Sequence, residues 1–491
     1  MPVNFMPSGE DYLRFLPEII MTVMGTLFMV IEGILGEEDS RKGTIFGGLT
    51  LATLIAALVA AVYANGIPGK AFTSMVIVDG YATFFRVLVI VVGILTVLIS
   101  YQFLQRENAE AGEYHALILF SIVGQCLMVT ANELIMVFIG LEISSIATYV
   151  LAGYLRDDKR NNESALKYFL LGSFATAFLL YGIAWIYGAT HTTRLDEIQA
   201  VLSNRDIAPN AIMVGTGAAL MFVGFAFKVA AAPFQIWAPD VYQGASAPVT
   251  AFMSAGPKAA AFGVFVRVFM TAFYPIVYRW ERFVWSSALL TMIIGNFAAL
   301  MQSNIKRLLA YSSIAHAGYI MVAIAAHNEI GISAVMFYLA AYALMNIGAF
   351  AVVTYFARQG EKYVNVEDLA GLGWKQPMVA ALFTVYLLSF IGVPLTGGFF
   401  GKFYIFKAAL DANLVWLTIL GLLNSAVAAY YYLRILVVMY FQEPGESTAT
   451  LQPAGMGITV TLWATALGTL FLGIFPSTLL SFARSSSALL K

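Results

Sequence analysis

Three charged side chains lie deep inside apolar stretches of this 491-residue sequence. Glu142 sits within LIMVFIGLEISSIATYVL, Lys258 follows Pro257, and Lys228 is the one charge between Asp206 and Asp240. A charge at the centre of a bilayer costs about 2.5–3.5 kcal/mol, so such a side chain faces a protein interior or water and needs a partner. They are therefore candidate functional groups. A structural carboxyl at position 142 and an interfacial lysine at 258 stay open as alternatives.

Three further titratable residues lie less clearly inside the apolar stretches. Lys167 is four residues from Glu163, so it is either a functional group or an interfacial lysine paired with that carboxylate on its own helix. Lys402 is five residues before Lys407 and has the same interfacial alternative. His316 is flanked by small residues in YSSIAHAGYIMVA, where a hydrogen-bonded core histidine is the alternative.

These residue types together favour proton transfer. Burial lowers the pKa of a lysine and raises that of a carboxyl, and an opposite charge nearby reverses both shifts. A carboxylate–lysine pair would therefore hold the lysine charged while together and let it release a proton when apart. Histidine titrates near neutral pH without help. Protons are favoured over sodium, because an ammonium group has no lone pair for a metal ion and a sodium carrier would need several converging oxygens.

The elements that position these groups are membrane-spanning helices. Hydrophobic residues make up 60% of the chain and charged residues 11%, whereas soluble domains carry roughly 25% charged residues. Since a spanning helix needs about 20 mostly apolar residues, the apolar runs predict an all-α integral membrane protein of about fourteen spans in one polytopic domain. The predicted centres are residues 25, 54, 90, 121, 143, 175, 222, 260, 292, 317, 343, 388, 425 and 468.

Two of the predicted spans contain helix breakers. Pro233 and Pro239 follow Lys228, and Pro394 and the Gly397–Gly398 pair precede Lys402. Proline removes a helical hydrogen bond, and inside a bilayer the freed carbonyls must find other partners. Interrupted spans in corresponding positions of two halves are typical of inverted-repeat transporters. Ordinary proline kinks are the alternative.

A weak internal repeat supports two halves. The tripeptide SSI occurs at Ser144–Ile146 and again at Ser312–Ile314, and ESALKYFLL resembles ISAVMFYLA at nearly the same offset. With the N-terminus outside, the inward loops hold more lysine and arginine than the outward loops and tails. Because cytoplasmic loops carry the excess of basic residues, we expect both termini on the outer, periplasmic side.

The sequence offers little that could hold a cofactor. Cys126 is the single cysteine, so an iron–sulfur cluster is excluded, and of the four histidines only His316 lies deep in a span. No GxxxxGK[ST] phosphate loop occurs. The net charge of −1 indicates no nucleic-acid partner. We expect no redox centre, cofactor or metal ion in this chain.

Several long motifs resemble those of a known family. The run FKVAAAPFQIWAPDVYQGASAPVTAFMSAGPKAAAF, residues 227–262, closely resembles the signature of the antiporter-like proton-translocating subunits. These subunits occur in respiratory complex I, the proton-pumping NADH–quinone oxidoreductase, and in multi-subunit cation/proton antiporters. FIGLEISSIATYVLAGY, NIKRLLAYSSIAHAGY and PLTGGFFGKFYIF also fit, and the resemblance covers about residues 10–480.

Three departures favour one of the sister subunit types of complex I. The other two types usually carry a histidine-rich motif where Gln235 and Val241–Gln243 stand here. One of them often has glutamate in place of Lys402, and the other adds a long lateral helix after the fourteenth span, for which a chain ending at Lys491 is too short.

The resemblance implies a particular architecture. It implies fourteen transmembrane helices with two inverted five-helix repeats and discontinuous seventh and twelfth helices. On this scheme the N-terminal helices occupy residues 10–105, the first repeat 110–275, the second repeat 280–440 and a C-terminal helix 450–482.

The resemblance also implies roles along a path for protons. Glu142 matches the fifth-helix glutamate that modulates the pKa of a lysine, and Lys167 matches the sixth-helix lysine that pairs with it. Lys228 matches the lysine of the first broken helix, and Lys258 the connecting lysine of the eighth. These four roles are what the resemblance implies.

Two more residues complete that path. His316 falls on the tenth-helix relay, and Lys402 matches the terminal group of the twelfth helix. The implied function is proton translocation in the membrane arm of an NADH–quinone oxidoreductase in the bacterial inner membrane, next to sister antiporter-like subunits. NADH, FMN, iron–sulfur clusters and quinone would then belong to partner subunits. A subunit of a sodium/proton antiporter and a passive assembly subunit are the alternatives.

Overall fold

The chain is almost entirely helical. The computed structural model describes residues 6–34, 42–109, 111–204, 209–449, 451 and 453–487. In chain order its α-helices are α1 Gly9–Arg14, α2 Leu16–Ile34, α3 Lys42–Ala64, α4 Gly80–Glu107, α5 Gly112–Thr130, α6 Leu134–Ala152, α7 Lys159–Thr190, α8 Leu195–Ser203, α9 Ala211–Val229, α10 Trp237–Gly244, α11 Ala247–Met270, α12 Val277–Leu300, α13 Ile305–Ala325, α14 Glu329–Ala357, α15 Leu372–Lys375, α16 Pro377–Ile391, α17 Gly397–Asp411, α18 Val415–Phe441, α19 Glu446–Ala449, α20 Met456–Ile474 and α21 Pro476–Ser487.

The remaining regular elements are short. Two strands, β1 Gly69–Ala71 and β2 Val76–Val78, form an antiparallel hairpin between α3 and α4 in which Gly69 pairs with Val78. Three 3-10 turns occupy Tyr274–Ile276, Gln359–Glu361 and Glu367–Leu369.

The helices confirm the predicted membrane spans. Within the described part of the chain, 13 helices are long and apolar enough to cross a membrane. The fourteenth predicted span, centred on residue 388, is the pair α16 and α17, which are too short to cross singly. The chain is a multi-pass membrane protein.

The first predicted break lies between α9 and α10. α9 ends at Val229, and Ala230 adopts a left-handed conformation with φ 59°. The break leaves main-chain groups without helical partners, which other side chains satisfy. Trp237 donates its indole N–H to the Phe227 carbonyl at 2.9 Å, and Thr291 accepts from the Ala232 amide at 2.7 Å.

The second predicted break lies between α16 and α17. α16 ends at Ile391, and Gly392 takes a left-handed conformation with φ 92° that glycine adopts without strain. The chain then reverses so tightly that a Cβ at Gly398 would overlap the Ser389 carbonyl oxygen. The Gly397–Gly398 pair therefore lets α17 begin directly against the end of α16.

The centre of the molecule is formed by α11, α13 and α14. Every residue of α11 is buried, and nearly every residue of the other two. Peripheral helices expose large apolar side chains, such as Leu166 and Phe174 on α7 and Leu423 on α18. An apolar surface of this kind faces lipid or other membrane subunits, so a polar group on the central helices is shielded from both water and lipid.

The predicted division into repeats stays a prediction. Positions 110 and 450, two of its proposed boundaries, lie outside the described residues. At the C-terminus the structure has two helices in place of the expected one, because Pro476 begins α21 directly after α20.

Candidate functional site

Lys228 lies in the last turn of α9, immediately before the first break. Its side chain is buried, and Nζ donates to the Ser145 hydroxyl at 2.7 Å and to the Tyr168 hydroxyl at 3.2 Å. The ring of Tyr149 lies 5.7 Å from Nζ. The lysine is thus held by hydroxyl groups from α6 and α7.

Lys258 lies near the middle of α11 and is also buried. Its Nζ donates to the Ser313 carbonyl at 3.0 Å and to the Ser313 hydroxyl on α13. The ring of Tyr342 lies 5.9 Å away on α14. Lys258 therefore joins the three central helices.

His316 occupies the middle of a chain of hydroxyl groups. Its Nε2 is 3.1 Å from the Tyr432 hydroxyl, and its Nδ1 contacts the Tyr338 hydroxyl. Tyr432 in turn contacts the Ser312 hydroxyl. Because Ser312 and Ser313 are adjacent, Tyr432 connects His316 to the residue next to the one that binds Lys258.

Lys402 lies on α17, just after the second break. Its Nζ donates to the carbonyls of Phe390 and Ile391 at 2.8 and 2.9 Å and to the Ser425 hydroxyl at 2.8 Å. Carbonyls in the last turn of a helix have no intrahelical partner and carry partial negative charge, so they suit an ammonium group. The Tyr319 ring lies 4.8 Å from Nζ.

The three deep lysines share one electrostatic feature. None of Lys228, Lys258 and Lys402 forms an ion pair within 4.0 Å with any carboxylate in the described ranges. A buried charge without a counter-ion is costly, and an amine can lose its charge by releasing a proton. A neutral amine, a hydroxyl and an imidazole can each accept and donate a hydrogen bond. Such a set can pass a proton along.

The implied pair of Glu142 with Lys167 is not formed in this structure. Lys167 instead contacts Asp240 at 2.8 Å and Glu163 at 2.7 Å, and 40% of its side chain is exposed. In this structure Lys167 is therefore paired with Glu163 on its own helix, as the interfacial alternative predicts. Glu142 is half-buried on α6, and its buried Oε1 has no hydrogen-bond partner among the residues that the structure describes.

The physical reason is the position of α10. Trp237 stacks on Tyr168 of α7 with ring centroids 4.5 Å apart. This stacking fixes the start of α10 against α7, and Asp240 lies three residues further along the same face. Asp240 consequently reaches Lys167, which is adjacent in sequence to Tyr168.

One buried ion pair near the site was not predicted from the sequence. Lys306, which the sequence places in an inward loop, is buried in the first turn of α13 and pairs with Glu361. The same carboxylate accepts from the Ala247 amide at 2.6 Å, at the start of α11. Arg307 pairs with Asp240 at 2.7 Å. The adjacent basic residues after the Asn304 helix cap were the available signal.

Two further buried ion pairs attach the N-terminal helices. Arg86 of α4 contacts Glu18 of α2 at 2.8 Å with both side chains fully buried. Arg267 of α11 makes two hydrogen bonds to Asp79, at 3.0 and 2.8 Å. Breaking a buried pair leaves an uncompensated charge. These two pairs therefore stabilise the packing of α4 against α2 and α11.

No metal centre is evident in the described residues. They contain no group of three or more histidine, cysteine, aspartate and glutamate side chains that could hold an ion. Cys126 is free and buried. The candidate functional groups of the described residues are therefore the titratable side chains of the interior.

The fold and this interior define a class of protein, the antiporter-like membrane subunits. The family described as "NADH:quinone oxidoreductase/Mrp antiporter, TM" matches residues 131–428, a range that includes both breaks. The chain is 63% identical over 491 residues to NADH-quinone oxidoreductase subunit N 1 of Solibacter usitatus, with all of both chains covered. The chain belongs to the NADH-quinone oxidoreductase subunit N family.

Solved structures agree with this assignment. A chain of respiratory complex I from Thermus thermophilus matches with a TM-score of 0.81 and 32% identity, covering 95% of this chain and 99% of that one. A chain of the Mrp complex from Dietzia sp. DQ12-45-1b matches with a TM-score of 0.85 and 19% identity, covering 98% and 97%. The second match reflects the fold alone. The family resemblance and the all-α membrane fold expected from the sequence are confirmed.

Proposed function

We propose that this chain carries protons across the bacterial inner membrane as a membrane-arm subunit of an NADH–quinone oxidoreductase. The observation that supports this most strongly is the set of three buried lysines that form no ion pair with a carboxylate of the described residues. Such groups are costly in a membrane interior and mark ion pathways or proton relays. NADH, FMN, iron–sulfur clusters and quinone would be bound by partner subunits. Other membrane-arm subunits, including the sister antiporter-like subunits, would be partners of this chain.

The proposed path runs between the two helix breaks. It begins at Lys228, continues to Lys258, passes through His316 and ends at Lys402. Between the second and third groups, the neighbouring serines of α13 and the Tyr432 hydroxyl supply hydrogen-bonding steps. Between the last two, the rings of Tyr319 and His316 have centroids 5.7 Å apart, and that tyrosine also faces Lys402.

Glu142 and Lys167 would control the first lysine of the path. In this structure the Glu142 carboxylate has a buried oxygen that is ready to accept a hydrogen bond. Lys167 is bound to Asp240 and Glu163. We propose that Lys167 moves between these carboxylates and Glu142, and that its arrival changes the charge felt by Lys228. Redox chemistry in partner subunits would supply the free energy for that exchange.

Replacing Lys228 with alanine tests this proposal. We expect the assembled complex to lose NADH-driven proton pumping, measured in membrane vesicles, while the amount of complex stays unchanged. Lys407→Ala is the matched control, because Lys407 is an exposed lysine on α17. Full pumping by Lys228→Ala at normal assembly would contradict the proposal and favour a passive assembly subunit.

The sodium/proton antiporter alternative is tested by purification. Gentle solubilisation should recover the chain together with NADH-oxidising and quinone-reducing subunits. Recovery with antiporter subunits alone, without a redox partner, would contradict the proposed complex. The identity to a subunit N relative over the full length favours the oxidoreductase.

A further inference from the structure

A groove on the side of the molecule has a chemical character unlike the rest of the membrane-facing surface. It lies between α9, the end of α11 and the start of α12, and has a volume of about 440 Å³. That volume falls within the range of about 300–1,000 Å³ that is typical of small-molecule sites. Apart from Thr216 and Arg279, the side chains that line it are apolar.

Small residues on α9 create this groove. Gly215, Ala218 and Ala219 face α12, and a Cβ at Gly215 would meet no atom closer than Arg279 Nη1 at 3.9 Å. Phe222 of α9 and the buried Phe269 of α11 also line the groove. The small side chains of α9 therefore leave the space between α9 and α12 unfilled along this stretch.

Hydrogen bonds join α12 to α9 at one end of the groove and to the break after α9 at the other end. At the first turn of α9, Arg279 Nη1 donates to the Ala211 carbonyl at 2.8 Å. At the other end, beyond Val229, the hydroxyls of Ser287 and Thr291 bind the main chain of Ala232. α12 thus contacts α9 and its break at two distant points and leaves an apolar slot between them.

Arg279 places a positive charge at one end of the groove, where an anion can bind. The side chain is half-buried, with its Nε donating to the Tyr278 hydroxyl at 3.1 Å. Its Nη2 donates to no acceptor in the described residues, and guanidinium donors suit phosphate. Trp280 lines the same end, as tryptophans do near membrane interfaces.

We propose that this groove binds a glycerophospholipid, with the phosphate on Arg279 and one acyl chain lying along α9. A charged head next to an apolar slot matches a phospholipid, and basic pockets between membrane helices bind lipid headgroups. Large apolar residues at the rim, Ile212 and Phe283, are exposed and leave the slot open to the surrounding lipid. A second apolar groove, between α4 and α20, lacks any charged residue and so identifies no occupant.

The bound lipid would support the helix that carries Lys228. α9 ends one residue after Lys228, so the position of this lysine depends on how the end of α9 is packed. An acyl chain between α9 and α12 fills the space that small residues leave, and packing at that position limits the tilt of α9. This binding site does not depend on the proposed proton function.

Photolabelling of the purified complex tests the proposal. The complex is reconstituted into vesicles of phosphatidylglycerol that carries a photoreactive group on one acyl chain, and labelled peptides are mapped. We expect label on peptides from 211–222 and 276–283. Gly215→Leu fills the slot and should remove most of that label, with Ala219→Leu as a second filling variant.

Two arginine variants separate specific binding from general charge attraction. Arg279→Gln should reduce the label about tenfold, the size expected for loss of a charge-assisted hydrogen bond. Arg282→Gln, which removes an exposed arginine of the same helix, should leave it unchanged. Equal loss in both variants, full labelling after Gly215→Leu, or label on a partner subunit with the groove peptides unlabelled would overturn the proposal.

Discussion

The two helix breaks present their lysines to different hydrogen-bond acceptors. Lys228 lies before its break, and its Nζ donates to two hydroxyls. Lys402 lies after its break, and its Nζ donates to two main-chain carbonyls and one hydroxyl. Both are buried and lack a carboxylate partner among the described residues. The difference lies in the chemistry of the acceptors.

That difference affects how completely each site can hydrogen-bond the charged and the neutral form of its lysine. A hydroxyl can accept a hydrogen bond from an ammonium group or donate one to a neutral amine, whereas a carbonyl oxygen only accepts. The first site offers two hydroxyls, one fewer than the three N–H groups of an ammonium. The second site can accept all three N–H groups of an ammonium, and for a neutral amine its two carbonyls accept the two N–H groups while the Ser425 hydroxyl donates to the lone pair. We infer that the second site is the better matched to both forms of its lysine, and that Lys228 depends more strongly on each of its two hydroxyls.

The largest effect is expected where either lysine is removed. Lys228→Ala and Lys402→Ala should each lower pumping by about 10²-fold, at the lower end of the usual contribution of a proton-transferring group. Because the two groups act in series, the double variant should pump no less than either single one. Pumping rates in vesicles with matched amounts of complex measure this. A double variant that is clearly worse than both would mean two parallel paths.

Removal of one serine hydroxyl at each break sharpens the comparison. Ser145→Ala leaves Lys228 with Tyr168 alone at 3.2 Å, so we expect about a tenfold loss of pumping, equivalent to a charge-assisted hydrogen bond. Ser425→Ala leaves Lys402 with both carbonyls and should cost about twofold or less. The ratio of the two pumping rates is the measurement. Equal losses would show that the acceptors at the two breaks are equivalent.

A smaller effect is expected in the segment between the breaks. Tyr432→Phe removes the hydroxyl between Ser312 and His316, and loss of one neutral hydrogen bond corresponds to about a threefold to fivefold decrease. Tyr386→Phe is the control, since that buried hydroxyl contacts Leu462 and Thr465 instead. Similar rates in the two variants would remove Tyr432 from the path.

Hydropathy and helix breakers were sufficient to predict the spans. In the described part of the chain, the fourteen apolar runs correspond to thirteen long helices and the pair α16–α17, and Pro233 and Gly397 lie at the two observed breaks. Lys228 and Lys258 were identifiable because each is an isolated charge in an apolar run. Both features depend on a few consecutive residues, which a sequence displays directly.

Contacts between distant residues were not predictable. Lys167 binds Asp240, 73 positions away, and Lys306 binds Glu361, 55 positions away, and only the packed helices bring these residues together. The tyrosines that bind the titratable groups were also missed. Tyrosine occurs throughout apolar spans, so Tyr168 and Tyr432 have no local feature that separates a hydroxyl on the path from an ordinary core ring.

Arginine at the two positions tests the central claim most directly. Arginine keeps the positive charge and does not deprotonate in proteins, so it separates charge from proton exchange. The measurement is the number of protons moved per NADH oxidised by purified complex in proteoliposomes. We predict that this number falls sharply for both Lys228→Arg and Lys402→Arg, because a side chain that keeps its proton blocks a relay in series. A value for Lys228→Arg within about twofold of the unchanged protein would contradict the account, since charge alone would then suffice.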